Sequence, residues 1–176
     1  MTVLDLGGTE ESWELAPARP ARLLIVNHPD AVADHKRNTY LGDACDPELL
    51  AGEQFDLVYS NSVIEHVGGH YRRQQFADTV MRLGQHHWIQ TPYRYFPVEP
   101  HYLFPGLQFF PVSARAQITR WWPMGNLTNV KTADETAEWA LAIELLSRTS
   151  MAHYFPNSEI ISEKLGGLTK SLIVVG

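Results

Sequence analysis

Short apolar runs recur along the chain, and each ends in small or polar side chains. The first four lie at residues 2–6, 22–27, 39–42 and 55–60. Runs of this length predict parallel strands that are buried on both faces. Further runs at 86–91, 158–164 and 170–175 bring the total to seven strands, of which the last two read as an antiparallel pair joined through Gly166 and Gly167. The order predicts an α/β fold with a doubly wound, mostly parallel seven-stranded sheet and helices on both faces.

Three segments predict helices between these strands. The helix after the first strand is short, because Pro17 and Pro20 end it within two turns. Residues 72–83 repeat apolar side chains at helical spacing. A longer helix is predicted from Thr132 or Asp134, either of which can serve as the N-cap, to about residue 147. Its apolar stripe consists of Trp139, Ala142, Ile143 and Leu146.

The segment at about 92–122 has a different composition from the rest of the chain. It holds nine of the 19 aromatic residues and five prolines, at positions 92, 97, 100, 105 and 111. The prolines predict a stiff loop without a helix. Aromatic side chains in such a loop favour the wall or lid of a substrate pocket, and a satellite apolar core is the alternative.

Composition narrows the classes of function. A chain of 176 residues with 44% hydrophobic and 19% charged side chains is expected to form one soluble domain. A net charge of −6 without a basic run argues against nucleic-acid binding. Cys45 is the single cysteine, which excludes an internal disulfide. No apolar stretch approaches the roughly 20 residues of a membrane span, and the first strand leaves no room for a signal peptide, so a cytoplasmic location is expected.

Two phrases resemble class I S-adenosylmethionine-dependent methyltransferases, in particular the small bacterial enzymes called methyltransferase-11-like or -12-like. The first phrase is Phe55-Asp56-Leu57-Val58-Tyr59-Ser60-Asn61-Ser62-Val63-Ile64-Glu65-His66-Val67, and the second is the C-terminal stretch from Phe155 to Val175. The glycine turn after the first strand departs from the family pattern, because Thr9 and Glu11 stand where later glycines are usual. Helices that precede the first strand in that family are not found here, so the cofactor pocket is expected to be open, to be covered by the insertion or to be covered by another subunit.

The resemblance implies S-adenosyl-L-methionine as the cofactor and a small molecule as the substrate. The backbone of Gly7, Gly8 and Thr9 would surround the methionine end, and Asp5 would orient its ammonium group. Asn27 would accept from the ribose, whereas Asp43 and Ala44 would contact the adenine. Ser60, Asn61 and Ser62 would lie where the methyl group is transferred. The structural alternatives are a plain turn at Asp5, a turn at Asn27 and a helix cap at Asp43.

Three residues are candidates for proton transfer. His66 follows the fourth strand, and Glu99 and His101 are the acid and imidazole in the middle of the insertion. A histidine titrates near neutrality and can take a proton from a hydroxyl or amine. In the alternatives, His66 packs near the adenine or caps a helix, and Glu99 pairs with Arg94. In related quinone-biosynthesis enzymes, an acid followed by a histidine at this place has been associated with a divalent metal. Here Gly68 and Gly69 lie between His66 and His70 and argue against a continuous helix that would present both rings, so no metal is predicted.

The sequence therefore predicts methyl transfer to an O, N or C nucleophile of a small metabolite. Two other functions stay open. The chain is a non-catalytic partner subunit if the insertion aromatics form an interface with a second copy or another protein. It is a cofactor-binding fold redirected to another reaction, such as cyclisation, if the methyl group is not used.

Overall fold

The computed structural model describes residues 1–29, 38–122, 124 and 132–176. The strands are β1 Thr2–Leu6, β2 Arg22–Asn27, β3 Thr39–Leu41, β4 Phe55–Asn61, β5 Gly84–Pro92, β6 Val98–Glu99, β7 Phe104–Pro105, β8 Glu159–Leu165 and β9 Leu168–Val175. The helices are α1 Glu10–Glu14, α2 His70–Leu83, α3 Val112–Trp121, α4 Ala133–Ala142 and α5 Arg148–Tyr154.

The main sheet has seven strands in the order β3-β2-β1-β4-β5-β9-β8. Strands β1 to β5 are parallel, and β9 runs antiparallel to both β5 and β8. The prediction of a doubly wound, mostly parallel sheet with an antiparallel last strand is confirmed. The strand order reverses between β1 and β4, and ligands in open α/β sheets bind in the crevice outside the carboxyl ends at such a point.

The core lies between this sheet and the helices that cover it. Residues Val3 to Leu6 of β1 are buried, as a central parallel strand requires. On α2 the face made by Phe76, Val80 and Leu83 has no solvent exposure, so the predicted apolar stripe of this helix is confirmed. The helix α1 is short, as Pro17 predicted, and Thr9 caps it by accepting from Ser12 N.

The prediction that the insertion contains no helix is wrong. It folds as the β6–β7 hairpin, a 3-10 turn at Leu107–Phe109 and the ten-residue helix α3. The physical reason is the position of the prolines. All five precede Val112, and the last of them, Pro111, occupies the N-cap position, where its missing N–H costs the helix nothing.

The helix predicted up to residue 147 ends earlier, at Ala142. Its start is as predicted, because Thr132 accepts from Glu135 N and the Glu135 carboxylate accepts from Thr132 N in a capping box. The predicted stripe is wrong, since Trp139 is exposed and Leu146 lies beyond the helix in a parallel bridge with Tyr93. The sequence analysis also missed α5.

Among the residues that the structure describes, no helix has the length and apolar character needed to cross a membrane.

Candidate functional site

A cavity opens at the carboxyl ends of β1, β2 and β4, where the strand order reverses. We call it the strand-end cavity; its volume is about 500 Å³, within the range of small-molecule sites. It brings together five of the predicted cofactor residues and one predicted base. Its lining consists of Gly7, Val26, Asn27, His28, Gly42, Asp43, Ala44, Ser62, Val63, His66, Val67 and Arg72.

The glycine turn after β1 closes one wall of this cavity. Gly7 has a φ of 88°, a left-handed conformation that favours glycine, and a Cβ there would overlap Val63. A Cβ at Gly8 would overlap the carboxylate of Asp5. The Asn27 side chain donates from Nδ2 to the carbonyl of Gly8 over 3.0 Å, which ties the end of β2 to this turn. The turn is therefore tight, although Thr9 and Glu11 replace the later glycines of the family pattern.

A second, smaller pocket of about 180 Å³ lies beside the turn, and we call it the Asp5 pocket. It is lined by Asp5, Gly8, Thr9, Ser12, Tyr59 and Asn61. Only 1% of Asp5 is exposed, and Trp13 Nε1 donates to its Oδ2 over 2.6 Å. Burial raises the pKa of Asp5 to about 6, against the opposing effect of the Trp13 bond. The other oxygen, Oδ1, is buried and has no hydrogen-bond partner within the described chain.

Asp43 forms an ion pair with Arg72 at the far wall of the strand-end cavity. The Arg72 Nη2 atom lies 2.9 Å from both carboxylate oxygens, and the Cys45 amide donates to Oδ1 over 2.9 Å. Burial opposes ionisation here, but the bonds from Cys45 and Arg72 outweigh it and lower the pKa of Asp43. Arg72 also donates to the Val67 carbonyl, so Asp43 is an oriented carboxylate.

The three predicted residues at the end of β4 have different environments. Ser60 is fully buried, and its hydroxyl donates to the Leu6 carbonyl over 2.9 Å. It lines neither pocket, and its side chain joins β4 to β1; its place beside the transferred methyl group stays a prediction. Asn61 lines the Asp5 pocket and Ser62 lines the strand-end cavity. Ser62 adopts a φ of 59°, which turns the chain sharply as it leaves the sheet.

The three candidate proton-transfer residues form one hydrogen-bonded line. Glu99 accepts from Tyr102 N over 2.8 Å and pairs with His101 Nδ1 over 2.7 Å. His101 Nε2 lies 3.1 Å from His66 Nε2. Glu99 is 2% exposed, whereas His66 is exposed and lines the strand-end cavity. Partial loss of solvent around the ring, and then the charge that His101 can carry, lower the pKa of His66 to about 4. The alternative pairing of Glu99 with Arg94 is not the one observed.

Glu65 lies beside this line and is completely buried. Thr91 donates to its Oε2 over 2.9 Å, and its Oε1 has no partner in the part of the chain that is described. Burial raises the pKa of Glu65 to about 7. Ligand atoms of Glu65, His66 and His101 lie within 4.8 Å of one another and are close enough to hold a metal ion. His70 is not part of this group, because it starts α2 and its Nδ1 pairs with Tyr154 Oη over 3.0 Å.

The sequence analysis missed Arg72 and Trp13. The pattern predicts Arg72 only as the start of a helix, and the residues next to it do not indicate that it reaches Asp43, 29 positions away. Trp13 lies on α1, directly after the turn that follows β1. Its indole N–H donates to the Asp5 carboxylate near the end of β1. The sequence does contain one indication of this contact, a tryptophan eight residues after an acid at a strand end.

No family model matches this chain, and no curated protein matches it. Solved structures do match over 99% of its length. One is an O-methyltransferase family protein from Burkholderia thailandensis, at 13% identity and a TM-score of 0.56. Another is the N-methyltransferase NodS from Bradyrhizobium japonicum in complex with S-adenosyl-L-homocysteine, at 12% and 0.53. A third is a pericyclic reaction enzyme, at 8% and 0.55.

These similarities define the fold. It is the Rossmann-like fold of class I S-adenosylmethionine-dependent methyltransferases, as the resemblance implied. The chain spans 50% of the Burkholderia protein, 42% of the pericyclic enzyme and 76% of NodS.

Proposed function

We propose that this protein binds S-adenosyl-L-methionine and transfers its methyl group to an O, N or C nucleophile of a small molecule. The observation that carries the proposal is the line from buried Glu99 through His101 to His66, which ends in the strand-end cavity. A base at this place is what a protonated hydroxyl or amine acceptor requires.

The residues around the turn fit the cofactor. Gly7 and Gly8 leave no room for a Cβ, because Val63 and Asp5 fill that space, so the tight turn keeps its backbone at the walls of both pockets. Oδ1 of Asp5 is buried and has no partner among the described residues, so it can accept from the ammonium group of the cofactor. The Thr9 and Asn61 side chains line the same pocket. In this assignment the methionine end of the cofactor lies in the Asp5 pocket.

The rest of the cofactor is assigned to the strand-end cavity. Asn27 uses its nitrogen on Gly8, which leaves its amide oxygen as the acceptor for a ribose hydroxyl. Asp43 and Ala44 line the opposite wall, where an adenine amino group would donate to the oriented carboxylate. Ser62 lies close to the expected position of the methyl group. The Ser60 hydroxyl donates to the Leu6 carbonyl, so in this proposal Ser60 holds β4 against β1 and does not contact the cofactor.

The hydrogen bonds support Nδ1 as the proton-accepting atom of His66. Glu99 accepts from His101 Nδ1–H, so a neutral His101 accepts at Nε2 from His66 Nε2–H. His66 Nδ1 is then the atom with a free lone pair. The low pKa keeps this imidazole neutral at pH 7. A weak base suffices, because the nucleophile's proton becomes strongly acidic as its bond to the methyl group forms.

The bound cofactor supplies an electrophilic methyl group on a sulfonium sulfur. The walls of the cavity hold the two reactants in line, and such alignment is worth effective molarities of ~10⁵ M or more. The buried Glu99 stabilises the positive charge that His66 and His101 share after the proton is accepted. Transfer to a carbon nucleophile would use the same alignment, and the base would be needed wherever that carbon starts protonated, because its C–H proton must then pass to His66.

A redirected reaction is the second candidate, since a pericyclic reaction enzyme shares this fold. A binding experiment and a turnover experiment together separate the possibilities. Thermal unfolding is measured with S-adenosyl-L-methionine, S-adenosyl-L-homocysteine and, as a control, NAD. Ligand at 100 times its dissociation constant should stabilise the fold by about 2.7 kcal/mol. Release of S-adenosyl-L-homocysteine is then assayed with a panel of candidate acceptors: small alcohols and phenols, amines, and carbon acids.

The outcomes are distinct. Stabilisation by the first two ligands alone, with acceptor-dependent release of S-adenosyl-L-homocysteine, supports methyl transfer. Stabilisation with no release over the acceptor panel favours the redirected reaction. No stabilisation at millimolar ligand overturns the proposal and favours a partner subunit.

A further inference from the structure

A third cavity, of about 420 Å³, lies within the insertion, and we call it the insertion cavity. Its walls come from the insertion on one side and from the residues after α4 on the other. The residues that matter here are Arg94, Tyr102, Gln108, Phe109, Val112 and Arg115. None of them lines the strand-end cavity, so the two cavities are separate sites.

Three buried polar atoms of this lining have no hydrogen-bond partner among the residues described. They are Tyr102 Oη, Gln108 Oε1 and Arg115 Nε. Tyr102 is 2% exposed and Gln108 is 9% exposed. Buried polar atoms in folded proteins are normally paired with protein, water or a ligand. Three such atoms around one cavity indicate a polar ligand that pairs with them.

The rest of each side chain is fixed in place. Gln108 Nε2 donates to the carbonyls of Arg94 and Phe96 over 3.0 and 2.7 Å, which leaves its oxygen as a directed acceptor. Arg115 Nη1 donates to the Ile143 carbonyl over 3.4 Å. The residues of the lining thus carry three buried polar atoms without a partner among the described residues: an N–H donor at Arg115, a hydroxyl at Tyr102 and an amide oxygen at Gln108.

Positive groups of the lining can attract an anion. Arg94 and Arg115 are both part of it, and Val112 opens α3, whose N-terminus has no side-chain cap. The first N–H groups of a helix carry partial positive charge and bind anions.

Two acids also line the cavity, and both are already engaged. Glu99 binds His101 and the Tyr102 amide, and Glu144 accepts from Arg73 Nη2 over 2.7 Å. The charges of the two acids are therefore partly offset by these partners, and among the described residues neither acid forms an ion pair with Arg94 or Arg115.

We propose that the insertion cavity binds a small aromatic carboxylate that also carries a hydroxyl group. Its carboxylate accepts from Arg115 and the N-terminus of α3, and its hydroxyl donates to Gln108. Its ring packs against Phe109, which is 54% exposed at the cavity. The proposal concerns binding alone and holds whether or not the methyl-transfer proposal does.

The test uses 4-hydroxyphenylacetate as the probe and the full chain without any cofactor. Binding is titrated by calorimetry, with the methyl ester of the same acid as the uncharged comparison. We expect the acid to bind about tenfold more tightly than the ester, or better. Arg115→Gln should weaken binding of the acid by a similar factor and leave that of the ester unchanged.

Arg120→Gln is the matched control, since Arg120 lies on the same helix, is exposed and contacts Trp121. It should bind the acid as the parent chain does. If Arg115→Gln fails to fold, Arg94→Gln is measured instead, and it should weaken binding of the acid by a smaller factor, because Arg94 contributes charge to the lining and no assigned hydrogen bond. The proposal is overturned if the probe does not bind at millimolar concentration, if acid and ester bind equally, or if Arg115→Gln and Arg120→Gln lose the same affinity. Displacement of the probe by an equal concentration of inorganic phosphate would assign the cavity to phosphates and also overturn the carboxylate.

Discussion

His66 Nε2 and His101 Nε2 lie 3.1 Å apart although 35 positions separate the two residues. His66 follows β4, whereas His101 follows the β6 strand of the insertion. The contact therefore places the insertion at the edge of the strand-end cavity, and Glu99 anchors it there through His101. The proposed chemistry depends on this contact, because it determines which imidazole nitrogen can accept a proton.

We expect His66→Ala to lower turnover by ~10²–10⁴-fold, the usual contribution of a general base. The affinity for S-adenosyl-L-methionine should stay nearly the same, since the base touches the acceptor. His86→Ala is the matched control, because His86 is exposed on β5. Steady-state turnover and cofactor titration measure the two effects. Full activity in the His66 variant would show that another group, or none, takes the proton.

Glu99→Gln tests the positioning role of the buried carboxylate. The charge of Glu99 raises the pKa of His66 against the larger effects of burial and His101, so its removal should make His66 a still weaker base. We expect kcat at pH 7 to fall by about tenfold or more, with an acidic midpoint that moves to lower pH. A pH profile of kcat reads this out, with Glu159→Gln on β8 as the control. An unmoved midpoint would mean that Glu99 only supports the fold.

Asp43→Ala should weaken cofactor binding by about 10–100-fold, the worth of a hydrogen bond to a charged group. The same variant leaves Arg72 without its partner, so the thermal stability of each variant must be compared as well. Asp78→Ala on the exposed face of α2 removes an equal charge and serves as the control. Calorimetry with S-adenosyl-L-homocysteine gives the affinities. Equal affinities in the two variants would remove Asp43 from the adenine site.

Asp5→Asn should change the pH dependence of stability. Burial raises the pKa of Asp5 from 3.8 to about 6, so its stabilising contribution is complete below about pH 4 and is lost as pH rises through 6. Asparagine has no charge to bury at higher pH and keeps an acceptor for Trp13. Relative to the parent chain, the free energy of unfolding should rise by up to about 3 kcal/mol between acidic and neutral pH.

Urea unfolding of both chains at the two pH values measures this difference. Asp78→Asn should show no such gain, because that carboxyl is exposed. If the stability difference between Asp5→Asn and the parent chain is the same at both pH values, the carboxyl is not destabilised by burial.

A chelator should leave turnover unchanged. The facing nitrogens of His66 and His101 already share a hydrogen bond, and burial raises the pKa of Glu65 to about 7, which weakens it as a ligand at neutral pH. Assays with and without EDTA, followed by added Mg²⁺ or Zn²⁺, test this. Loss of activity that a metal restores would assign these three residues to a metal site.

The strand pattern was enough to predict the sheet, because a buried parallel strand leaves a continuous apolar run such as that of β1. The insertion was harder. The number of prolines alone predicts no helix in this segment, but their positions permit one. A proline just before the first helical residue, such as Pro111, is compatible with α3. The early end of α4 was also not predictable from the pattern. Ile143 and Leu146 are buried in extended chain, but their spacing is the one expected of a further helical turn.

The site was predictable where its residues are close in sequence. Glu99 and His101 are two positions apart, and their pairing followed from that proximity. The pair of Asp43 with Arg72 and the contact of His101 with His66 depend on the approach of elements distant in the chain. The sequence pattern does not show the bond that Ser60 makes inside the sheet, because a polar residue at a strand end can face a ligand or, as here, donate to a neighbouring strand at Leu6.

Trp13 gives this protein an optical signal of its own. Its indole donates to the carboxylate proposed to receive the cofactor's ammonium group, and its ring meets Tyr59 edge-on, with centroids 5.4 Å apart. A cation arriving at Asp5 must share that carboxylate with the indole, and the emission of a tryptophan responds to such a change in its surroundings. Comparison of the parent chain with Trp13→Phe would isolate this signal and follow occupancy of the Asp5 pocket in real time, without any label.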